Sequence, residues 1–157
     1  MKKKLLILAV SHLIALAAGF AAGVYVLPIL TAEPGVSAQA ARAAAQQARY
    51  TGQFRRDLPG SDALHWADAS LAVTPGALVL EGRVAPGPDY RIYLVPAFVD
   101  NREAFLALKA RARQVGTLKT FGHSVTPLAP DVELDAYTTV VIWCERFSQF
   151  ISAARYR

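Results

Sequence analysis

One cysteine, Cys144, is the residue of this chain whose reactivity is easiest to define. A single thiol excludes a disulfide within the chain, and it also excludes a zinc or iron–sulfur site built from several thiolates. Cys144 ends an apolar run, and Arg146 follows two residues later. If the thiol lies at the rim of the fold, the Arg146 guanidinium is the candidate group that lowers its pKa and stabilises the thiolate.

Three chemical roles are open to such a thiol. It can cycle through a mixed disulfide or a sulfenic acid, it can bind a metal, or it can tether two chains covalently. The competing interpretation is a buried cysteine that packs as a small apolar side chain beside Trp143 and Phe147. Cys144 is therefore a redox candidate, and the exposure of its sulfur separates these interpretations.

The other residues that bind cofactors in proteins do not complete a known site. A blue-copper centre needs two histidines, a cysteine and usually an axial methionine, but Met1 is the only methionine and no histidine follows Cys144. We expect His65 and His123 to be neutral loop side chains. The sequence contains no haem-attachment, hydrolase or phosphate-binding motif. We therefore expect no metal and no cofactor, and a redox carrier or binding module rather than a hydrolase or transferase.

The positive net charge of the chain does not indicate a nucleic-acid partner. The chain has 17 Lys and Arg against 12 Asp and Glu, a formal charge of +5. Three of these charges belong to Lys2, Lys3 and Lys4, whereas residues 50–157 carry twelve basic and eleven acidic side chains. Because a nucleic-acid binder should carry its basic excess on the folded domain, we expect no nucleic acid among the partners.

The N-terminal segment predicts a membrane anchor. The 23 residues from Leu5 to Leu27 carry no formal charge, and a helix of that length extends about 34 Å, enough to cross a hydrocarbon core of roughly 30 Å. The run is longer than that of a cleaved signal peptide, so we predict an uncleaved signal-anchor over residues 5–29 after a basic tail, residues 1–4. Because no basic residue follows the helix until Arg42, the positive-inside rule places the N-terminus in the cytoplasm. The body is then periplasmic, on a protein that crosses the cytoplasmic (inner) membrane once.

Two features within the anchor suggest further contacts. Gly19 and Gly23 form a GxxxG pattern, which lets two helix backbones approach closely and therefore indicates a homodimer as one option. His12 is ionisable within an apolar run, which makes it a functional candidate by default. The plainer interpretation of His12 is a neutral imidazole that is hydrogen-bonded near the inner membrane interface.

The segment after the anchor has a different composition. Residues 38–48 consist almost entirely of Ala and Gln, a composition with high helix propensity. They have no bulky apolar side chains with which to build a core. We predict a helical stalk over residues 30–49 that holds the body away from the membrane.

The body, residues 50–157, reads mainly as short strands between Pro and Gly turns. Residues 90–95 alternate, with Tyr90, Ile92 and Leu94 on the face that we expect to be buried and a partly wet face opposite. Residues 138–144 are apolar at both odd and even positions, which is typical of a central strand covered on both sides. Strands at this spacing predict an all-β fold, either an antiparallel sandwich or a barrel.

One stretch of the body departs from the strand pattern. Asp100 and Glu103 resemble a capping box, and good helix formers follow them. We predict one short helix over residues 101–114, laid over the strands. The basic residues near its end, which favour the helix dipole, are Lys109, Arg111 and Arg113.

Three blocks of the body resemble the DM-thirteen domain family, a module often found beside DOMON domains and assigned to electron transfer. The blocks are residues 87–94 (GPDYRIYL), residues 116–119 (GTLK) and residues 137–144 (YTTVVIWC). Their order and spacing match across residues 58–156. The resemblance implies an antiparallel β-sandwich, an electron-transfer role with a redox partner protein, and Cys144 as the redox residue.

These observations lead to two hypotheses of different classes. The first is a membrane-anchored domain that transfers electrons or exchanges thiols through Cys144. The alternative is a non-catalytic binding or adhesion module whose sandwich surface contacts a protein or a glycan. A sulfur sealed in the core would favour the second hypothesis.

Overall fold

The computed structural model describes residues 2–157, which contain three α-helices and eight strands. The helices are α1 (Lys2–Leu30), α2 (Ala38–Ala45) and α3 (Arg102–Leu108). The strands are β1 (Tyr50–Phe54), β2 (Ala67–Val73), β3 (Ala77–Val84), β4 (Tyr90–Val95), β5 (Arg113–Leu118), β6 (Ser124–Pro127), β7 (Thr139–Cys144) and β8 (Gln149–Arg155).

The strands form two four-stranded antiparallel sheets, which pack face to face. The strand orders are β1-β2-β3-β6 and β5-β4-β7-β8, and the inward side chains of both sheets form one apolar core. The predicted antiparallel β-sandwich is confirmed. Four connections meet at one end of the sandwich, which we call the loop end; they are residues 55–66, 85–89, 119–123 and 145–148.

β7 is buried along its whole length, as its apolar sequence predicts. Because side chains alternate across a strand, Ile142 and Cys144 face the space between the sheets. Val141 and Trp143 face the opposite side, where α3 covers the sheet. This alternation places the Cys144 thiol at the loop end of the inter-sheet core.

α3 confirms the predicted helical insertion but differs from it in detail. The capping residue is Asn101, whose side-chain oxygen accepts a hydrogen bond from the Ala104 N–H at 2.9 Å. Asp100 was expected in that position from its spacing to Glu103, but the chain starts its helical turn one residue later. The helix is also shorter than residues 101–114, because Arg113 already belongs to β5.

The cover provided by α3 explains a second difference. The second face of β4 was expected to be partly wet, yet Tyr93 and Val95 on that face are buried. Phe105 of α3 is fully buried against them and lies with its ring centroid 5.3 Å from that of Tyr93. The second face of β4 is therefore packed against the helix from Tyr93 onward, whereas Arg91 on the same face is half-buried, as expected of a partly wet face.

α1 contains the predicted apolar segment and is exposed along almost its entire length. Within residues 2–157 it is the helix long and apolar enough to cross a membrane, judged by length and composition. Its polar Ser11 and His12 side chains both contact the Leu8 carbonyl oxygen, at 2.8 Å each. This local bonding agrees with the plainer interpretation of His12 as a side chain satisfied within its own helix.

The segment predicted to be a stalk is helical, but it packs against the sandwich. Ala41 of α2 is fully buried against the outer face of the first sheet, beside Ala72 and Val79. Arg42 of the same helix forms an ion pair with Glu81 at 2.8 Å. Bulky side chains were expected to be necessary for such packing. The small alanine methyl groups instead let the helix backbone approach the sheet closely, so this segment is part of the folded body.

Candidate functional site

Cys144 lies in the wall of a cavity at the loop end. The residue is 2% exposed, and the cavity, about 320 Å³, is lined mainly by apolar groups. Tyr90 and Ile151 line it from the sandwich, Phe147 from the β7–β8 turn, and Val24 from α1. The thiol is therefore buried, yet it borders a cavity rather than being enclosed by side chains on all sides.

The surroundings of the thiol oppose its ionisation. Burial raises the pKa of Cys144 above its ordinary value, and this outweighs the main-chain N–H groups of Phe147, Asp89 and Arg146, which lower it. The negative charge of Asp89 raises the pKa further. The direction of the shift is opposite to the one expected from the Arg146 guanidinium, because burial of the thiol has the largest effect and Arg146 lowers the pKa only through its main-chain N–H.

We expect the stability contribution of this buried thiol to disappear at alkaline pH. Below the ordinary thiol pKa of 9.0, the folded and the unfolded chain both keep the proton. Above it the unfolded chain releases the proton first, because the folded-state pKa is higher, so the free energy of unfolding falls as the pH rises towards that value. Urea denaturation of the parent and of Cys144→Ala at a series of pH values measures this. A stability difference that stays constant from neutral to alkaline pH would contradict the expectation.

A second polar cluster lies on the other side of the same strand end. The Lys109 ammonium is 2.7 Å from a Glu145 carboxylate oxygen, and the Tyr93 hydroxyl donates a hydrogen bond to the same carboxylate. Lys109 also lies 5.2 Å above the Trp143 ring. Burial raises the pKa of Glu145, but hydrogen bonds from Lys109 and Tyr93 lower it by more, so the carboxylate stays ionised at neutral pH.

Sequence reasoning did not find this cluster. It assigned Lys109 to the end of a helix, whereas the side chain reaches across to Glu145, 36 residues later in the chain. The sequence contains no local signal that could have joined them, since the pairing depends on where α3 lies on the sheet. Arg113, which was grouped with Lys109, pairs instead with Asp131 at 2.7 Å.

The two histidines of the body have different partners. His65 Nδ1 lies 2.8 Å from a carboxylate oxygen of Asp62, and its side chain borders the Cys144 cavity. His123 Nδ1 accepts a hydrogen bond from the Gly82 N–H at 3.1 Å. Residues 2–157 contain no group of three or more His, Cys, Asp or Glu side chains arranged to hold a metal ion.

The comparisons with known proteins identify the body. The family model described as electron transfer DM13 matches residues 60–156. The search of curated proteins and the search of solved structures each found no match. The matched residues run from the loop before β2 to the end of β8, and they include Cys144, the cavity side chains contributed by the sandwich and the Lys109–Glu145 cluster. The chain therefore belongs to the electron transfer DM13 family, the DM-thirteen family that its three sequence blocks resemble.

Proposed function

We propose that this chain is a single-pass protein of the cytoplasmic membrane whose periplasmic DM13 domain transfers electrons through Cys144. The family assignment supports the electron-transfer class. The observation that carries the residue assignment is the position of Cys144, which borders a cavity at the loop end. The main-chain N–H groups of Phe147, Asp89 and Arg146 lower the pKa of its thiol, although burial raises it by more. These N–H groups offer partial positive charge to a thiolate, although burial keeps the thiol protonated at rest.

The burial of Cys144 selects among its possible reactions. With 2% of the residue exposed, its sulfur does not reach the surface of a macromolecule, so a tether between chains and a direct disulfide with a protein partner are disfavoured. A small oxidant that enters the cavity fits better. Electrons then pass between Cys144 and its redox partner protein through a small diffusible thiol.

We infer a hydroperoxide as the class of oxidant. The Cys144 thiolate, formed by loss of the thiol proton, attacks one peroxide oxygen; an S–O bond forms, the O–O bond breaks, and the leaving oxygen takes up a proton as an alcohol or water. The sulfur is oxidised to a sulfenic acid by the two electrons that reduce the peroxide. A small thiol then condenses with the sulfenic acid and releases water. A second small thiol displaces Cys144 from this mixed disulfide and restores the thiol.

Alkylation of the full-length chain in detergent tests whether a small molecule reaches Cys144. Iodoacetamide should modify the native thiol slowly but completely, and the rate should rise with pH because the thiolate is the nucleophile. A matched control is the double variant Cys144→Ser, Thr51→Cys, which moves the only thiol to an exposed position on β1; it should react much faster. If Cys144 reacts only after denaturation, the redox proposal fails.

The alternative is a binding module for a protein or a glycan. The burial and raised pKa of Cys144 favour it, since both slow thiol chemistry. In this case a Cys144→Ser variant retains every phenotype of the parent, and peroxide treatment of the folded chain leaves no sulfenic acid that dimedone can trap.

A homodimer through Gly19 and Gly23 of α1 stays a proposal. The two residues share one helix face, and nothing packs within 4 Å of the Cβ position at either. Gly23 also borders a cavity between α1 and the loop end. A partner helix would therefore have to share this face of α1 with the sandwich.

A further inference from the structure

We propose that the loop end of the sandwich docks onto the lipid bilayer, with Leu64 and Phe147 inserted among the lipids beside α1. This surface contacts the interfacial region of the bilayer, which the C-terminal end of α1 reaches. The inference goes beyond the proposed redox function, because it does not use the chemistry of Cys144 and does not depend on which side of the membrane the domain occupies.

The loop end exposes large apolar side chains that the sandwich does not need for its core. Leu64 is 57% and Phe147 is 51% exposed. They belong to two different connections, β1–β2 and β7–β8, yet both border the cavity that contains Cys144. Pro86 and Pro88 of the β3–β4 connection border the same cavity, so three loops contribute to one apolar rim.

α1 runs beside this rim rather than away from it. A cavity of about 700 Å³ separates them, with Val24 and Leu27 of the helix on one side and Pro88 and Phe147 on the other. The uncharged run continues past Leu27 to Ala32, and Glu33 is the first charged residue that follows it. The part of α1 that borders the rim begins at Phe20 and covers about the last three turns of the helix. These turns must lie in the outer half of the hydrocarbon layer and at its edge if the helix crosses it. Phe147 is therefore level with lipid rather than with bulk water.

The connection between α1 and the sandwich fixes this arrangement. The Glu33 N–H donates to the Lys119 carbonyl oxygen at 2.9 Å, and the Val36 N–H donates to the His123 carbonyl oxygen at 3.1 Å. The side chains of Glu33 and Lys119 form an ion pair at 2.7 Å. At Gly35 a Cβ atom would lie 2.6 Å from the His123 carbonyl oxygen. The linker, residues 31–37, is thus bound along the β5–β6 connection. The sandwich therefore cannot move away from the membrane without breaking these contacts.

The charges at the loop end are compatible with a lipid surface. The carboxylates of Asp57 and Asp89 form ion pairs with Arg55 and Arg91, and a carboxylate oxygen of Asp62 lies 2.8 Å from His65 Nδ1. Arg146 adjoins Phe147, is exposed, and forms no ion pair with another residue in the described part of the chain. An apolar side chain next to a free basic one is the combination found in segments that lie at membrane interfaces, where the cation meets lipid phosphate.

Depth-dependent fluorescence quenching tests the proposal. The full-length chain is placed in nanodiscs of phosphatidylcholine and phosphatidylglycerol, and Phe147→Trp is compared with Phe98→Trp. Phe98 is 38% exposed and lies beside Arg155 at the far end of the sandwich, so it is the matched control. Lipids brominated on their acyl chains should quench most of the fluorescence that Trp adds at position 147, and little of that added at position 98.

A second variant and a second outcome keep the test decisive. Leu64→Trp reports from a different loop and should be quenched like Phe147→Trp, even if the turn at position 147 tolerates Trp poorly. If the fluorescence added at both positions is quenched no more than at position 98, the proposal is overturned. A blue-shifted but unquenched Trp at both positions also overturns it, since the surface would then be covered by protein. Neither outcome bears on whether Cys144 is oxidised.

Discussion

Replacing Trp143 with alanine should lower the free energy of unfolding by about 3–5 kcal/mol, the cost of deleting a large buried aromatic side chain. Trp143 is fully buried between β7 and α3. Its ring centroid lies 4.7 Å from that of Phe105, and Lys109 covers another part of the ring. The loss would open a cavity under α3 that these neighbours cannot fill, because both are held by further contacts.

Urea denaturation of the full-length chain in detergent, followed by far-ultraviolet circular dichroism, measures this effect. Trp66→Ala is the matched control. Trp66 is only partly buried, and one face of its ring contacts the Arg56 guanidinium, whose carbon lies 3.7 Å from the ring centroid. Its removal should cost about 1 kcal/mol, the range of a single exposed cation–π contact with modest burial. Similar losses for both variants would contradict the role assigned to Trp143.

Gly82→Ala should destabilise the domain by about 3 kcal/mol, the upper end of the usual range for forced overpacking. A Cβ atom at Gly82 would lie 2.3 Å from the Asp68 carbonyl oxygen and 2.4 Å from the Ala69 Cα. Both atoms belong to the backbone of β2, which pairs with β3 at this point, so no side-chain rotation relieves the collision. The Gly82 N–H also donates a hydrogen bond to His123 Nδ1. Because His123 belongs to the β5–β6 connection, on which the linker lies, a shift of β3 would disturb that connection as well.

Gly76→Ala is the control for this substitution. Gly76 lies in the β2–β3 turn, and nothing lies within 4 Å of its Cβ position. Its substitution should change the free energy of unfolding by no more than about 0.5 kcal/mol, as is usual for surface changes. Equal urea midpoints for Gly82→Ala and the parent would show that β2 and β3 separate more easily than their pairing indicates.

The Cys144 region shows how far local sequence reasoning extends. The apolar character of residues 138–144 at both odd and even positions correctly predicts a strand covered on both faces. Cys144 is the last residue of that strand, as expected. The family that the YTTVVIWC block resembles is also the family whose model matches the chain. Exposure was left open, because whether a strand end meets water depends on loops from other parts of the chain. Here residues 85–89 and 145–148 cover the sulfur.

The same limit explains the two elements whose surroundings differ from expectation. α2 was read as free-standing because its alanines lack bulk, but the sheet presents Ala72 and Val79, which are themselves small enough to accept a close helix. Lys109 was read as a helix end, but α3 crosses the sheet at a position that brings it to Glu145. In both cases the missing information was the shape of a distant surface.

The amino-acid sequence by itself determined the apolar N-terminal helix, the succession of strands, the sandwich class and the family of this protein. The helix and the strands follow from periodicity and turn residues, which are properties of neighbours along the chain, whereas the sandwich class is what the family resemblance of the three sequence blocks implies. Only the tertiary structure decided that Cys144 is buried with a raised pKa, that α2 belongs to the body, and that the loop end lies beside α1. These properties depend on which remote segments exclude water from a given atom. The desolvation of an atom at a strand end, such as the Cys144 sulfur, arises from contacts with residues far apart in the chain, and the local pattern does not encode it.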